Sequence, residues 1–299
     1  MDALEEITRV FKSSKEISFD DSSKIVLMSD CHRGDGSLAD DFLKNQNIFF
    51  AALTHYYNEN YIYIEIGDGD ELWENRKMSD IIDVHYDVFR LLTKFYNKNR
   101  LYLIYGNHDI VKRNKKFVKN NLYRYFDENK KRYIDLFKDI TIHEGLKLKY
   151  SPTGDKIFLI HGHQGEWIND RVWWLGRFLV RYLWRTLELL GVKDLTSTAK
   201  NYVNKEKADR KLIHWVQKEK HPLIAGHTHR PMFPETEQTP YFNDGSCIHP
   251  RCITAIEISG GNIMLVKWCI ETKSNGALFI NREILAGPNK LKDYFSKLK

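Results

Sequence analysis

Short apolar runs recur along the chain, and each one ends in a residue type that can bind a metal ion. The runs have the length of a buried β-strand and occupy residues 24–30, 61–68, 100–107, 155–162 and 222–227. The stretches 38–58 and 79–97 between them have helical spacing, so the alternation predicts an α/β fold with largely parallel strands. Near the C-terminus, "CITAIEISGGNIMLVKWCI" predicts two strands joined by a Gly-Gly turn, which would close the sheet with an antiparallel section.

The chain shows no internal repeat and no low-complexity linker, so we expect a single domain over residues 1–299. Residues 164–220 break the strand–helix alternation and are expected to form a helical insertion, acting as a lid or cap. Within it, the aromatic-rich stretch 167–191 carries arginines at helical spacing. A packed helix, a lid over a cleft and a surface that meets lipid all remain open for this stretch.

Bulk composition restricts the class of protein. Hydrophobic residues make up 42% and charged residues 29% of the chain, which is typical of a globular protein and not of a disordered one. The four cysteines are too few and too irregularly spaced for a disulfide framework or a CxxC knuckle. No signal peptide or membrane-spanning run is recognised, which predicts a cytoplasmic protein that could touch a membrane peripherally through 167–191.

The residues at the ends of the apolar runs share one property, since all of them offer an oxygen or nitrogen ligand. They are Asp30 and His32, Asp68, Asn107, His161, and His227 with His229. Loops at the carboxyl ends of strands converge on one crevice in α/β sheets. Residues two apart in an extended segment also point to the same side, so these side chains are expected to meet.

This mixture of donors favours Mn²⁺, Fe or Zn²⁺ over Ca²⁺ or a thiolate zinc site. Seven ligands are too many for one ion that also admits a substrate. They suit two ions about 3.5–4 Å apart with a bridging carboxylate, the arrangement used to hydrolyse phosphoesters. We therefore expect two divalent ions, with Mn²⁺ preferred and Fe or Zn²⁺ as alternatives.

The ordered motifs "SDCH", "GDGDE", "GNHD", "HGH" and "GHTH" resemble those of the calcineurin-like metallophosphoesterase superfamily. The resemblance implies two packed β-sheets flanked by helices. It also implies ligand roles: Asp30, His32 and His229 would hold one ion, Asp68 would bridge, and Asn107, His161 and His227 would hold the second.

The same resemblance places His108 beside the scissile phosphate, with Asp109 orienting it. Glu71 fills the last position of the "GDGDE" motif, whereas Asp70 has no counterpart. Three further residues next to the motifs are expected to contact substrate, namely Arg33, His163 and Arg230. An imidazole titrates near neutral pH, so His108 could protonate the leaving group after attack by a metal-activated hydroxide.

The predicted function is hydrolysis of a phosphate mono- or diester. Alternatives are a nuclease, a pyrophosphatase of a lipid-linked nucleotide sugar, or a non-catalytic scaffold on the same fold, although such scaffolds usually lose ligands that are all present here. The chain is similar to UDP-2,3-diacylglucosamine pyrophosphatases in its "HG" followed by a helical insert, but those enzymes generally carry Arg where this chain has His108. The basic stretch 112–132 is either a solvated helical face or a contact for a phosphorylated or nucleic-acid ligand.

Overall fold

A computed structural model describes residues 2–128, 130–164 and 202–299. Its strands are β1 (Lys15–Phe19), β2 (Lys24–Met28), β3 (Ile62–Ile66), β4 (Leu101–Ile104), β5 (Arg124–Asp127), β6 (Arg132–Asp135), β7 (Ile142–His143), β8 (Gly145–Tyr150), β9 (Lys156–Ile160), β10 (Leu223–Ala225), β11 (Tyr241–Asn243), β12 (Cys252–Ser259), β13 (Asn262–Thr272) and β14 (Leu278–Lys290). Its α-helices are α1 (Ala3–Ser13), α2 (Gln46–Asn58), α3 (Met78–Val84), α4 (Tyr86–Asn97), α5 (Lys115–Asn121), α6 (Tyr202–Glu219) and α7 (Leu291–Leu298). Short 3₁₀ helices cover Asp41–Lys44 and Ile110–Arg113.

A seven-stranded sheet has the order β14-β13-β12-β2-β3-β4-β7. Strands β2, β3, β4 and β7 run parallel, and β12, β13 and β14 add an antiparallel section. The turn between β12 and β13 is made by Gly260 and Gly261, both with positive φ, as a two-residue hairpin turn requires. The predicted parallel core and its antiparallel closure are both confirmed.

The second large sheet has the order β1-β8-β9-β10-β11 and is mostly parallel, with β8 and β9 antiparallel. Isoleucine and leucine side chains of β2 in the first sheet and of β9 in the second share one buried cluster, in which Ile25, Leu27, Ile157 and Leu159 are at most 1% exposed. Full burial of each such side chain stabilises the fold by roughly 1.5–3 kcal/mol. The packed sheets confirm the predicted fold class.

Helices cover the outer faces of both sheets. Side chains of α2 and α4 pack on the seven-stranded sheet, and α1 and α6 pack on the five-stranded one. The helical stretch expected at 79–97 is divided at His85 into α3 and α4. The buried His85 ring lies 2.9 Å from an Asp40 oxygen and 3.0 Å from the Gln46 side-chain oxygen, which ties this break to the segment before α2.

The expected helical insertion at 164–220 is described only at its ends. Residues 165–201, which include the aromatic-rich stretch 167–191, lie outside the described residues. Helix α6 buries Leu212, Trp215 and Val216 in the cluster formed with β9 and β10, so this end of the segment belongs to the packed domain. Among the residues that the structure describes, no helix has the length and apolarity needed to cross a bilayer.

Candidate metal centre

The strand ends of both large sheets meet at one edge of the molecule. Backbone pairing continues past β2 and β3: the Asp30 amide donates to Gly67 O at 3.1 Å, and the His32 amide donates to Asp68 O at 2.9 Å. In the other sheet the Gly226 amide donates to His161 O at 3.0 Å. These backbone hydrogen bonds fix the conformation of the loops that follow the strands without any contribution from side chains.

Five residues at these strand ends have a left-handed backbone although none is glycine. Their φ angles lie between 48° and 68°, at Asp30, His32, Asp68, His227 and His229. Residues with a Cβ seldom adopt this region, and such outliers cluster at functional sites. We expected each pair of ligands to point the same way because their segments would be extended. That reason is wrong, because left-handed turns orient these side chains.

The first group of side chains surrounds one carboxylate oxygen. Asp30 Oδ1 lies 3.0 Å from His229 Nε2, 3.7 Å from His32 Nε2 and 4.0 Å from His161 Nε2. This oxygen is buried and accepts no hydrogen bond of good geometry from the residues that the structure describes. The other oxygen, Oδ2, accepts from the His227 amide at 2.8 Å and from the Ser29 hydroxyl, so Oδ1 is held facing the imidazoles.

The second group adjoins the first. His161 Nε2 lies 3.1 Å from Asp68 Oδ2 and 3.2 Å from Asn107 Oδ1, and one ring nitrogen of His227 lies within 4.8 Å of ligand atoms on Asp68 and His161. His161 Nδ1 donates to Ile66 O at 2.7 Å, which leaves Nε2 as the free lone pair. Asp68 Oδ2 is also 3.9 Å from His32 Nε2 in the first group, so Asp68 lies between the groups.

Both carboxylates are negatively charged at neutral pH. Burial alone would raise the pKa of Asp30, but the imidazoles of His229 and His161 outweigh it and hold the pKa well below its usual value. For Asp68, His161 and His108 outweigh burial in the same way and lower the pKa strongly. A buried charge requires a partner of opposite sign, so two charged carboxylates at this depth suit a cation bound between them.

Two glycines leave room for these carboxylates. A Cβ on Gly106 would strike Asp68 Oδ1 and lie 2.6 Å from the Asp68 amide nitrogen. A Cβ on Gly226 would strike the Ser29 hydroxyl and lie 2.6 Å from Asp30 Oδ2. The glycines of "GNHD" and "GHTH" are therefore required by the close approach of the backbone to the site.

Glu71 links a ligand histidine to the proposed catalytic histidine. Its Oε2 lies 2.9 Å from His32 Nδ1 and 2.7 Å from His108 Nδ1. The His108 ring stacks on Trp73 at a centroid distance of 4.3 Å and an interplanar angle of 18°, and its side chain is 25% exposed. His108 is therefore held at Nδ1 and on one ring face while it stays open to the cleft.

Five buried charged residues beneath the site form an ion network, made of Glu65, Arg33, Asp70, Lys112 and Asp109. The Arg33 guanidinium donates to both Glu65 oxygens at 2.7 and 2.9 Å and to Asp70 Oδ1 at 2.7 Å. Lys112 Nζ lies 2.6 Å from carboxylate oxygens of both Asp70 and Asp109. Burial would raise the pKa of Asp70, but Arg33 and Lys112 lower it to about 2.

These contacts correct three expectations. Arg33 is 1% exposed and its donors are occupied by carboxylates, so it is not a phosphate contact. Lys112 belongs to this network and not to a solvated face, whereas the rest of the described basic stretch forms α5 and the hairpin β5–β6. Asp109 accepts from the Gly106 amide at 2.7 Å and so supports the "GNHD" turn from below instead of touching His108.

The other two expected substrate contacts lie near the ligands. His163 is 1% exposed with its ring 5.5 Å from that of His161, and its buried Nδ1 has no hydrogen-bond partner within the described ranges 2–128, 130–164 and 202–299. Arg230 is half-buried and interacts with the carboxylate of Asp209 on α6.

Sequence reasoning missed Asp244, which follows β11. Its Oδ1 lies 2.6 Å from the Ser29 hydroxyl, which also bonds Asp30. The motif "FNDGSC" was the available signal for it.

The residues present fit a pair of divalent ions. Two groups of three, Asp30 with His32 and His229, and Asp68 with His161 and His227, each bring their ligand atoms within 4.8 Å of one another. The unbonded buried oxygen of Asp30 and the inward lone pair of His161 are the atoms that a cation would satisfy. Carboxylate and imidazole donors suit Mn²⁺, Fe and Zn²⁺.

Comparison with known proteins gives the family. The sequence profile described as calcineurin-like phosphoesterase matches residues 23–236, which is more than half of the chain. This protein belongs to the calcineurin-like phosphoesterase family. No curated protein matches it significantly. Among solved structures it is similar to Vps29 of Chaetomium thermophilum, with 12% identity, a TM-score of 0.38, and coverage of 89% of this chain and 96% of that one.

Proposed function

We propose that this chain hydrolyses a phosphate mono- or diester with two divalent ions held by Asp30, His32, Asp68, Asn107, His161, His227 and His229. The observation that carries the proposal is the convergence of ligand atoms from five separate strand ends on two adjoining groups around Asp30 and Asp68. Family membership supports a metal-dependent phosphoesterase in general, and the donor types favour Mn²⁺, with Fe or Zn²⁺ as alternatives.

When bound, such ions lower the pKa of a coordinated water and neutralise charge on the phosphoryl oxygens. The protein itself orients the histidines and supplies the proton donor. His32 and His161 are fixed through their Nδ1 atoms, by Glu71 and by Ile66 O, so each presents Nε2 to the cleft. The Trp73 ring and Glu71 fix the plane of His108, which leaves Nε2 of His108 to donate a proton to the departing ester oxygen.

The test is a metal titration combined with a substrate panel. Metal-free protein is loaded with Mn²⁺, bound metal is counted by mass spectrometry, and turnover is measured on p-nitrophenyl phosphate, bis-p-nitrophenyl phosphate, single-stranded DNA and a lipid-linked UDP-sugar. We expect two ions per chain and metal-dependent turnover of at least one of the first two substrates. Exclusive cleavage of DNA or of the UDP-sugar would replace the proposed substrate class.

Variants separate metal binding from proton transfer. Asn107→Ala should bind one ion fewer and lose turnover, whereas His108→Asn should keep both ions and lose rate by roughly 10²–10⁴-fold, the range for a general acid. His214→Ala removes an exposed histidine of α6 and serves as the matched control with unchanged metal and rate. Wild-type turnover in Asn107→Ala with one ion missing would refute the role of the second ion, and absence of turnover in the metal-loaded wild-type chain would favour a non-catalytic scaffold.

A further inference from the structure

Two cysteines far from the metal centre lie directly opposite each other on neighbouring strands. Cys252 begins β12 and pairs with Cys269 on β13 in an antiparallel register without a bulge. Side chains of directly opposed residues point to the same face of a sheet. Both cysteines are partly exposed, whereas Cys31 and Cys247 are fully buried.

The register makes this a non-hydrogen-bonded pair. Ser259 and Asn262 flank the two-residue turn and close the hairpin as its last pair, so they exchange backbone hydrogen bonds. Paired positions alternate along an antiparallel ladder between hydrogen-bonded and non-hydrogen-bonded. Cys252 lies an odd number of residues from Ser259 along β12, so its pair with Cys269 is a non-hydrogen-bonded pair.

The backbone bonds of Cys252 support this assignment independently. Its amide donates to His249 O at 3.4 Å, and its carbonyl accepts from Asn45 Nδ2 at 3.1 Å. The backbone amide and carbonyl of Cys252 therefore both form hydrogen bonds on the side facing away from β13. This is expected only at a non-hydrogen-bonded position of the β12–β13 ladder.

Such a position meets the distance that a disulfide bond needs. Opposed Cα atoms of a non-hydrogen-bonded pair lie about 4.5 Å apart, and disulfides span Cα separations of about 4.4–6.8 Å. The two sulfurs can therefore bond with side-chain rotation alone. Burial is the largest effect on both thiols and raises the pKa of each, whereas the nearby ammonium of Lys267 favours their thiolate forms. The carboxylates of Glu271 and Glu283 raise the pKa of Cys269 further, and the Cys269 thiol donates to Glu271 Oε1 at 3.8 Å.

We propose that Cys252 and Cys269 form a reversible cross-strand disulfide by exchange with a small-molecule disulfide such as oxidised glutathione. One thiolate attacks the S–S bond of the glutathione disulfide, forms a mixed disulfide and releases one glutathione thiolate. The second cysteine thiolate then attacks the protein sulfur of that mixed disulfide and releases the other glutathione. The two cysteines are oxidised, the glutathione disulfide is reduced, and the two thiol protons pass to the departing thiolates.

The experiment incubates the full chain at pH 8.5 with oxidised glutathione, quenches free thiols with iodoacetamide and maps the tryptic peptides without reduction. We expect a link between the peptides 252–267 and 268–273, no glutathione adduct, and complete reversal by dithiothreitol. Cys31 and Cys247 should carry the iodoacetamide label only after denaturation. They act as internal controls because neither side chain is exposed.

Single variants test the order of events. Cys252→Ser and Cys269→Ser each leave one partly exposed thiol that has no resolving partner, so each should accumulate a stable mixed disulfide with glutathione. The proposal is overturned if the wild-type chain also stops at the mixed disulfide. A bond between Cys31 and Cys247, or cross-linking between chains, in place of the 252–269 link would overturn it as well.

Discussion

Removing the guanidinium of Arg33 is expected to destabilise the protein strongly even though Arg33 does not touch the metal ligands. Arg33→Met leaves a side chain of similar length and no charge between Glu65 and Asp70. Asp70 keeps its contact with Lys112 at 2.6 Å. Among the described residues, Glu65 keeps one hydrogen bond, from the Tyr63 hydroxyl at 3.0 Å, and a weaker charge interaction with Lys112. An uncompensated charge then remains on a residue that is 1% exposed.

The expected magnitude follows from the cost of breaking a buried pair. Removing one partner of a buried ion pair costs about 3–5 kcal/mol, and the retained Lys112 contact places Arg33→Met near the lower limit, at about 3 kcal/mol. Replacing both members by apolar groups removes the stranded charge. We therefore expect Arg33→Met/Glu65→Leu to recover more than half of this loss.

Urea unfolding followed by circular dichroism measures these differences, with EDTA present so that bound metal does not contribute. Arg9→Met provides the matched control, because the Arg9 side chain is 43% exposed where it pairs with Glu6 and Glu144. Exposed pairs contribute about 0–1 kcal/mol. A loss below about 1 kcal/mol in Arg33→Met, or a double variant less stable than either single one, would refute the reasoning.

Two further predictions concern Gly106 and His143. Gly106→Ala should lower bound metal and turnover by at least about tenfold, because its Cβ collides with Asp68. Gly154→Ala is its control: the φ of 79° at Gly154 strains an alanine backbone, but a Cβ there meets nothing within 4 Å. Equal metal content in the two variants would contradict the prediction. Burial, with Lys15 nearby, lowers the pKa of His143 to about 4, so between pH 4 and 6.5 the unfolded chain binds the extra proton and stability rises with pH. In His143→Asn this part of the pH dependence should disappear from the unfolding free energies measured with EDTA, and an unchanged slope would show that another group causes it.

The convergence of the proposed ligands was predictable from the sequence because each of them follows an apolar run, and strand ends converge whatever the details of the loops. Asp30 and Asp68 could be assigned on that basis alone. The left-handed backbone at these positions was not predictable, because only a few per cent of non-glycine residues adopt it and nothing in the local sequence marks His32, His227 and His229 as among them.

The ion network could not be predicted from the sequence, for a different reason. Arg33 directly follows a ligand histidine, so proximity along the chain favoured a substrate contact. The backbone turn instead directs its side chain to Glu65 on β3 and to Asp70. Pairings of this kind join residues more than thirty positions apart, and nothing in local spacing indicates which buried acid meets which base.

The left-handed ligands have a consequence for how this protein can change. Glycine adopts their backbone conformation freely, whereas aspartate and histidine adopt it at a cost on the order of 1 kcal/mol or more each. Replacing Asp68 or His32 by glycine should therefore relax the apo chain more than replacement by alanine. Substitutions at these sites can therefore raise the stability of the fold while removing the proposed metal binding. We expect the strained residues to persist only under selection for that binding.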